Sequence, residues 1–181
     1  CDNKVKVGYG SSENAGVAAS QFYIGESTSE NELSTVGIPV YYTNIEIVDP
    51  ETGESLAYNE EGEIVLSGRV MLGYFNNEEL TNEVIEYRNG VRSLHTGDLG
   101  VIASDGTMQF LGRIKRLIVG PDGHKIFPKM IEDVVINHKY VKSCACVGVK
   151  DSHHVNGAVP VVFIEMVPGH ESEVDKMIEE L

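Results

Sequence analysis

The sequence predicts an α+β chain in two parts: a small antiparallel, β-barrel-like subdomain, then a small α+β domain. Three observations predict it. Before residue 111, short alternating apolar stretches recur between closely spaced turn signals, the pattern of an antiparallel barrel-like unit. After residue 116, strand patterns alternate with helical ones. Between them lies Phe110-Leu111-Gly112-Arg113-Ile114-Lys115-Arg116, a glycine followed by three cations, read as a junction. The expected boundaries are residues 1–114 and 115–181.

In chain order, Lys4–Val7 alternates and reads as a strand entering the turn Gly8-Tyr9-Gly10-Ser11-Ser12-Glu13-Asn14, where two glycines permit sharp turning and close approach to a ligand. An ordinary polar turn is the competing reading. Ala18–Ile24, Val36–Val40, Tyr42–Val48 and Glu63–Ser67 follow as strands. Gly25–Thr35 is a polar loop and Asp49-Pro50-Glu51-Thr52-Gly53 a turn. Five glutamates from Glu51 to Glu63 read as a solvated face. Asn77–Tyr87 has helical spacing through Leu80, Val84 and Tyr87. Arg92–Leu94 is a strand ending in His95-Thr96-Gly97-Asp98, and Leu99–Ile102 with Thr107–Leu111 forms a hairpin.

Beyond the junction, Leu117–Val119 and His124–Phe127 flank the turn Gly120-Pro121-Asp122-Gly123. Pro128 suits a first helical turn, and Ile131, Val134, Val135 and His138 share one helical face. Ser143–Val149 and Val159–Val167 are strands, and Glu171–Leu181 is helical again.

Composition narrows the function. A formal net charge of -14 argues against a nucleic-acid partner, which needs a Lys/Arg surface. A nucleotide stays open, because a metal ion can bridge carboxylates to phosphates. The cysteines, Cys1, Cys144 and Cys146, fit neither a disulfide framework nor a zinc pattern and suit a reduced, cytoplasmic setting. No apolar run is long enough to span a membrane. The first residue is Cys and the last lies within a helical pattern, so the chain is expected to be a piece of a longer protein.

Asp98 and Arg113 each follow a glycine at a strand end, a place suited to presenting a charge. An acid beside an Arg donor suits a ribose, although each is equally a turn residue or a surface ion-pair member. His95 adjoins the Thr-Gly-Asp loop, with packing as its expected role; His153-His154 reads as solvated loop and His138 as the edge of a core.

The order of motifs narrows this further. Tyr9-Gly10-Ser11-Ser12-Glu13, Ser34-Thr35-Val36-Gly37-Ile38-Pro39, Gly62-Glu63-Ile64-Val65-Leu66-Ser67-Gly68 with Gly73-Tyr74, Thr96-Gly97-Asp98, Gly112-Arg113-Ile114-Lys115 and Gly123-His124-Lys125-Ile126-Phe127-Pro128 together resemble the adenylate-forming family. That family includes acyl-CoA synthetases, adenylation domains of peptide synthetases, and luciferases. The resemblance implies an AMP-forming ligase that activates a carboxylic acid with ATP and Mg²⁺ and passes the acyl group to CoA or a carrier-protein phosphopantetheine.

By the same resemblance, Tyr9 packs on adenine beside Gly10, Phe110 lines the adenine pocket, Ser12 contacts the α-phosphate and Glu13 holds Mg²⁺. Asp98 holds the ribose hydroxyls and Arg113 reaches them too. Lys115 is the hinge, and Gly123 and Lys125 belong to the pantetheine tunnel. Arg116 departs from the pattern, standing where an acid is common. The resemblance covers the end of the large N-terminal domain and most of the small C-terminal one. The family's phosphate loop and its late catalytic lysine are not in the sequence, so the chain alone is expected not to catalyse adenylation. The competing function is a non-catalytic module that binds a protein partner through its acidic surface.

Overall fold

The computed structural model describes residues 6–21, 35–150, 157–170 and 173–180. The chain divides into two compact units, Cys1–Phe110 and Leu111–Leu181.

The first unit is built on one antiparallel sheet. Its strands are β1 (Gly8–Ser11), β2 (Gly16–Ser20), β3 (Thr35–Pro39), β4 (Thr43–Val48), β5 (Gly62–Gly68), β6 (Ile85–Arg88), β7 (Val91–Ile102) and β8 (Met108–Arg113). Their order is β1-β2-β3-β8-β7-β5-β4, with β6 pairing on β7 beside this path. The sheet is antiparallel, as expected, but among the described residues β1 and β4 do not pair, so it is not a closed barrel. Its core gathers Ala18, Ala19, Ile47, Ile64, Leu66, Leu94 and Met108 from β2, β4, β5, β7 and β8, with Tyr9 of β1 at its edge.

Three local differences from the sequence expectation have physical causes. Of the strand expected over Lys4–Val7, Lys4 and Val5 lie outside the described residues; β1 itself begins at Gly8, and Val7 just before it already meets Gln21, its carbonyl accepting from the Gln21 N–H at 3.1 Å and its N–H donating to Gln21 Oε1 at 3.0 Å. The helix expected over 77–87 stops early. Helix α1 (Glu78–Val84) is capped by the Asn77 side chain, which accepts from the Leu80 N–H, and ends where Ile85 turns extended. The chain from Ile85 then forms a hairpin with β7 through Asn89-Gly90, both at positive φ (50° and 78°), the two-residue turn that matches strand twist. Finally, β7 is one long strand through Thr96-Gly97-Asp98, not two strands with a loop between.

The second unit holds the 3₁₀ turn Ile114–Arg116, the hairpin β9 (Ile118–Val119) with β10 (Lys125–Ile126), helix α2 (Pro128–Val135), the hairpin β11 (Val141–Val149) with β12 (Val159–Met166), and helix α3 (Val174–Glu180). Pro128 takes the first helical turn as expected, because its missing N–H has no intrahelical partner there. Val135, Val141 and Met177 form the core, with Ile131, Cys144, Val162 and Ile164 packed around them. Cys144 and Cys146 are free thiols, both raised above the ordinary value, first by burial. Among the described residues no helix is long and apolar enough to cross a membrane. His153-His154 and Ser34 lie outside the described residues.

Candidate active site

Three sequence-predicted residues of the first unit meet. The Tyr9 hydroxyl donates to Asp98 Oδ2 at 2.6 Å, joining residues far apart in the chain inside the protein. Phe110 stacks on the Tyr9 ring with centroids 5.8 Å apart and planes 29° apart. Tyr9 and Asp98 are 9% and 5% exposed, so an aromatic pair and a carboxyl share one largely dry corner. A planar apolar wall beside a hydrogen-bonding acid can hold a group that is flat at one end and hydroxylated at the other.

Asp98 owes its position to an irregularity in β7. Between the pairs Glu63↔Leu99 and Val65↔His95, β5 advances two residues while β7 advances four. Thr96-Gly97-Asp98 is therefore a bulge with two extra residues, and Gly97 takes φ 68°, a conformation glycine adopts at little cost. The bulge interrupts the backbone ladder, and side chains replace it. The Thr96 hydroxyl donates to the Ile64 carbonyl at 2.7 Å and accepts from the Asp98 N–H at 3.1 Å. Glu63 Oε1 accepts from the Gly97 N–H at 2.9 Å, and Oε2 meets His95 Nδ1 at 2.8 Å. His95 Nε2 in turn meets Glu86 of β6 at 3.0 Å. The hydrogen bond to Glu63, above all, holds the imidazole at a pKa of about 9, against its partial burial and helped by Glu86. His95 thus ties the bulge to its neighbours, while Glu86 is held below the usual carboxylate range, first by its bond to His95.

Glu13 sits on the turn after β1. Its backbone carbonyl accepts from Met71 at 2.6 Å, and its Oε1 accepts from the Tyr74 hydroxyl at 3.0 Å. Burial first, then the Glu13 carboxylate, pushes the Tyr74 phenol up. The turn is braced by Asn14, whose Oδ1 accepts from the Ser11 N–H at 2.6 Å. Ser12 is exposed at its tip. Gly10 has no space for a side chain, because a Cβ there would run into the Gly16 carbonyl across the hairpin. Arg92 of β7 grips the Met71 and Leu72 carbonyls, bracing the segment that holds Glu13.

Among the described residues no three His, Cys, Asp or Glu side chains cluster as an enclosed metal site. One half-buried carboxylate does fit Mg²⁺, which takes one or two protein carboxylates and fills its shell with phosphate oxygens and water.

The remaining predicted residues lie past Phe110, in the second unit, into which the end of β8 runs. Arg113 is extended and exposed at the start of the 3₁₀ turn, and Lys115 is exposed within it. Arg116 is anchored: its guanidinium meets Glu132 of α2 at 2.6 Å and the Cys146 carbonyl at 3.3 Å. Burial works to raise the Glu132 pKa, but the Cys146 N–H at 2.8 Å and then Arg116 hold it below the usual range. Gly123 lies at φ 83° in an exposed turn and Lys125 is exposed on β10.

The sequence reading missed Glu63, Tyr74 and the bracing role of His95. The glutamate run groups Glu63 with solvated residues, yet it is 8% exposed, whereas Glu51, Glu54, Glu60 and Glu61 are exposed. The available signal was the unbroken apolar run Ile64-Val65-Leu66 that follows it, which marks a strand covered on both faces.

The sequence profile of the family described as "AMP-binding enzyme" matches residues 1–75. The 4-coumarate-CoA ligase 1 of Narcissus pseudonarcissus is 33% identical over 175 residues, covering 96% of this chain and 31% of that protein. The acyl-CoA ligase SID4 of Ajellomyces capsulatus is 36% identical over 148 residues, covering 81% of this chain and 25% of its own length. The chain therefore spans about a third or less of these relatives. Among solved structures, the O-succinylbenzoate coenzyme A synthetase MenE of Bacillus subtilis, in complex with ATP and magnesium ion, aligns with a TM-score of 0.78 at 28% identity. That alignment covers 97% of this chain and 34% of MenE. With this fold, and with motif order and homology agreeing along nearly its whole length, the chain belongs to the AMP-binding, adenylate-forming family of enzymes.

Proposed function

We propose that the chain is part of an ATP-dependent acid–thiol ligase and carries the nucleoside half of its active site. The observation that supports this best is the buried Tyr9–Asp98 hydrogen bond beside the Phe110 ring. In this reading adenine lies along the Tyr9 face, with Gly10 and Phe110 lining its pocket. Asp98 accepts from the ribose hydroxyls. Two adjacent hydroxyls meeting one carboxylate form the charge-assisted hydrogen bonds that fix a ribose in register.

A substrate carboxylate attacks the α-phosphorus of ATP, the bond to the bridging oxygen breaks and pyrophosphate leaves with that electron pair. The Ser12 hydroxyl donates to the α-phosphate, where charge gathers in the transition state. Mg²⁺, when bound at Glu13, neutralises phosphate charge. Tyr74 orients the Glu13 carboxylate for that task. The acyl-adenylate is then attacked by a thiol, releasing AMP. The relatives are named as CoA ligases, which favours CoA over a carrier phosphopantetheine. Lys115 serves as the hinge between the two half-reactions, while Gly123 and Lys125 serve the thiol tunnel.

Calorimetric titration of the intact protein with AMP, and with a non-hydrolysable acyl-adenylate analogue, tests the reading. Saturable binding that Asp98→Ala weakens about tenfold or more is expected, the loss of charged hydrogen bonds. Equal binding by the two proteins overturns it.

A further inference from the structure

Resting on the nucleotide reading above, we propose that Glu63 is a positioning residue that sets the ribose-facing geometry of Asp98 by clamping the β7 bulge. Glu63 stands opposite Leu99 on β5, at the edge of the bulge, and both of its carboxylate oxygens are engaged by bulge-flanking groups. One accepts from the Gly97 N–H at 2.9 Å; the other meets the His95 imidazole at 2.8 Å.

Two extra residues in an antiparallel strand leave backbone groups with no partner across the ladder, and a buried N–H without an acceptor is strongly unfavourable. Glu63 provides that acceptor at the residue just before Asp98. With φ at 68°, Gly97 has conformational freedom that no side chain of its own restrains, so the fixed direction must come from outside. Thr96 supplies one restraint, bridging the Ile64 carbonyl and the Asp98 N–H. Glu63 supplies the other, and His95 keeps it aimed by bridging to Glu86.

A carboxylate is a poor choice for stability alone. Glu63 is 8% exposed and is followed by Ile64, Val65 and Leu66, all buried. A hydrophobic residue in such surroundings is often as stabilising as a buried ionic group, or more so. What the apolar residue cannot do is accept from the Gly97 N–H while holding the imidazole. The chemistry at this position is therefore matched to the shape of the bulge, and the bulge carries the ribose acid.

The test compares AMP with 2′,3′-dideoxy-AMP, which lacks the ribose hydroxyls, as ligands of the intact protein, by calorimetry with melting curves alongside. Wild type should prefer AMP by about tenfold or more, and Asp98→Ala should erase that preference. Glu63→Ala should lower it several-fold while 2′,3′-dideoxy-AMP binding stays within about twofold. Glu63→Gln, which keeps an oxygen for the Gly97 N–H, should restore most of it. If Glu63→Ala does not fold, Glu63→Asp, too short to reach the bulge, takes its place with the same expectation.

Equal loss of both ligands in the Glu63 variant, or an unchanged preference, overturns the positioning role while leaving the ribose site intact. A wild type that binds the two ligands alike overturns the ribose reading itself, and the proposal with it.

Discussion

The protonated His95 bridge sets a definite pH dependence. The imidazole lies between Glu63 and Glu86, with Arg88 also paired to Glu86, and these are the charged partners seen facing it. Its folded pKa is raised from 6.5 to about 9. A group raised on folding stabilises fully below its unfolded pKa, and that contribution fades as pH climbs through the folded one. The window therefore runs from about pH 6.5 to about pH 9, with stability lost toward alkaline pH. The shift corresponds to about 3 kcal/mol as an upper bound, and to about 2 kcal/mol once solvent screening at half-exposed Glu86 is allowed for. Two measurements check it. A titration of the imidazole Cε1–H by NMR, assigned with His95→Gln, should place one histidine near pH 9. Urea unfolding should show wild type more stable than His95→Gln at pH 6, with the gap closing by pH 10. A His95 that titrates at or below its ordinary value, or a gap that does not change with pH, refutes the charged bridge.

Other perturbations have equally direct readouts. Gly97→Ala meets open space but must adopt positive φ, so it should destabilise by about 1 kcal/mol in urea unfolding and weaken AMP binding. Tyr74→Phe removes the hydroxyl on Glu13; Mg²⁺-ATP affinity should fall several-fold in calorimetry while magnesium-free AMP binding is unchanged. In the second unit, Arg116 is 48% exposed, so its ion pair contributes little by itself. The larger consequence of Glu132→Ala is an unsatisfied Cys146 N–H, worth about 1–3 kcal/mol in denaturant unfolding. Arg116→Ala should therefore be the milder of the two variants, and a reversed order would refute this ranking.

Much of this was legible because single residues carried strong local constraints. Pro128 announced the start of α2, and Asp49 with Gly53 announced a turn: the Asp49 carboxylate accepts from Glu51 and Thr52, and Gly53 takes φ 71°. Tyr9, Asp98 and Phe110 could be named but not brought together by pattern alone, since their meeting depends on strand order β1-β2-β3-β8-β7. Asn89-Gly90 was a readable hairpin signal, but Leu80, Val84 and Tyr87 offered a competing helical period. The extended turn at Ile85 ended that period after two of the three. Glu63 illustrates a harder limit: the apolar run after it sets it, one of five nearby glutamates, in a covered strand, but what it holds there is given by the pairing of β5 with β7. Its hydrogen-bond partners, Gly97 and His95, are more than thirty positions away, beyond the reach of any local window.

The β7 bulge also has a consequence for descent. Its surplus is two residues, an even number, so side-chain alternation stays in phase on both sides: His95 and Leu99 share a face with Val65 and Glu63. Deleting two residues there would straighten the strand without turning any apolar side chain outward. A one-residue deletion would invert half the strand and ruin the core. A lineage could thus lose Asp98, and with it the ribose contact proposed above, in one small, foldable step that leaves the sheet well packed. The reverse step, a two-residue insertion between β5-paired positions, is an equally short route to the bulge from a plain sheet.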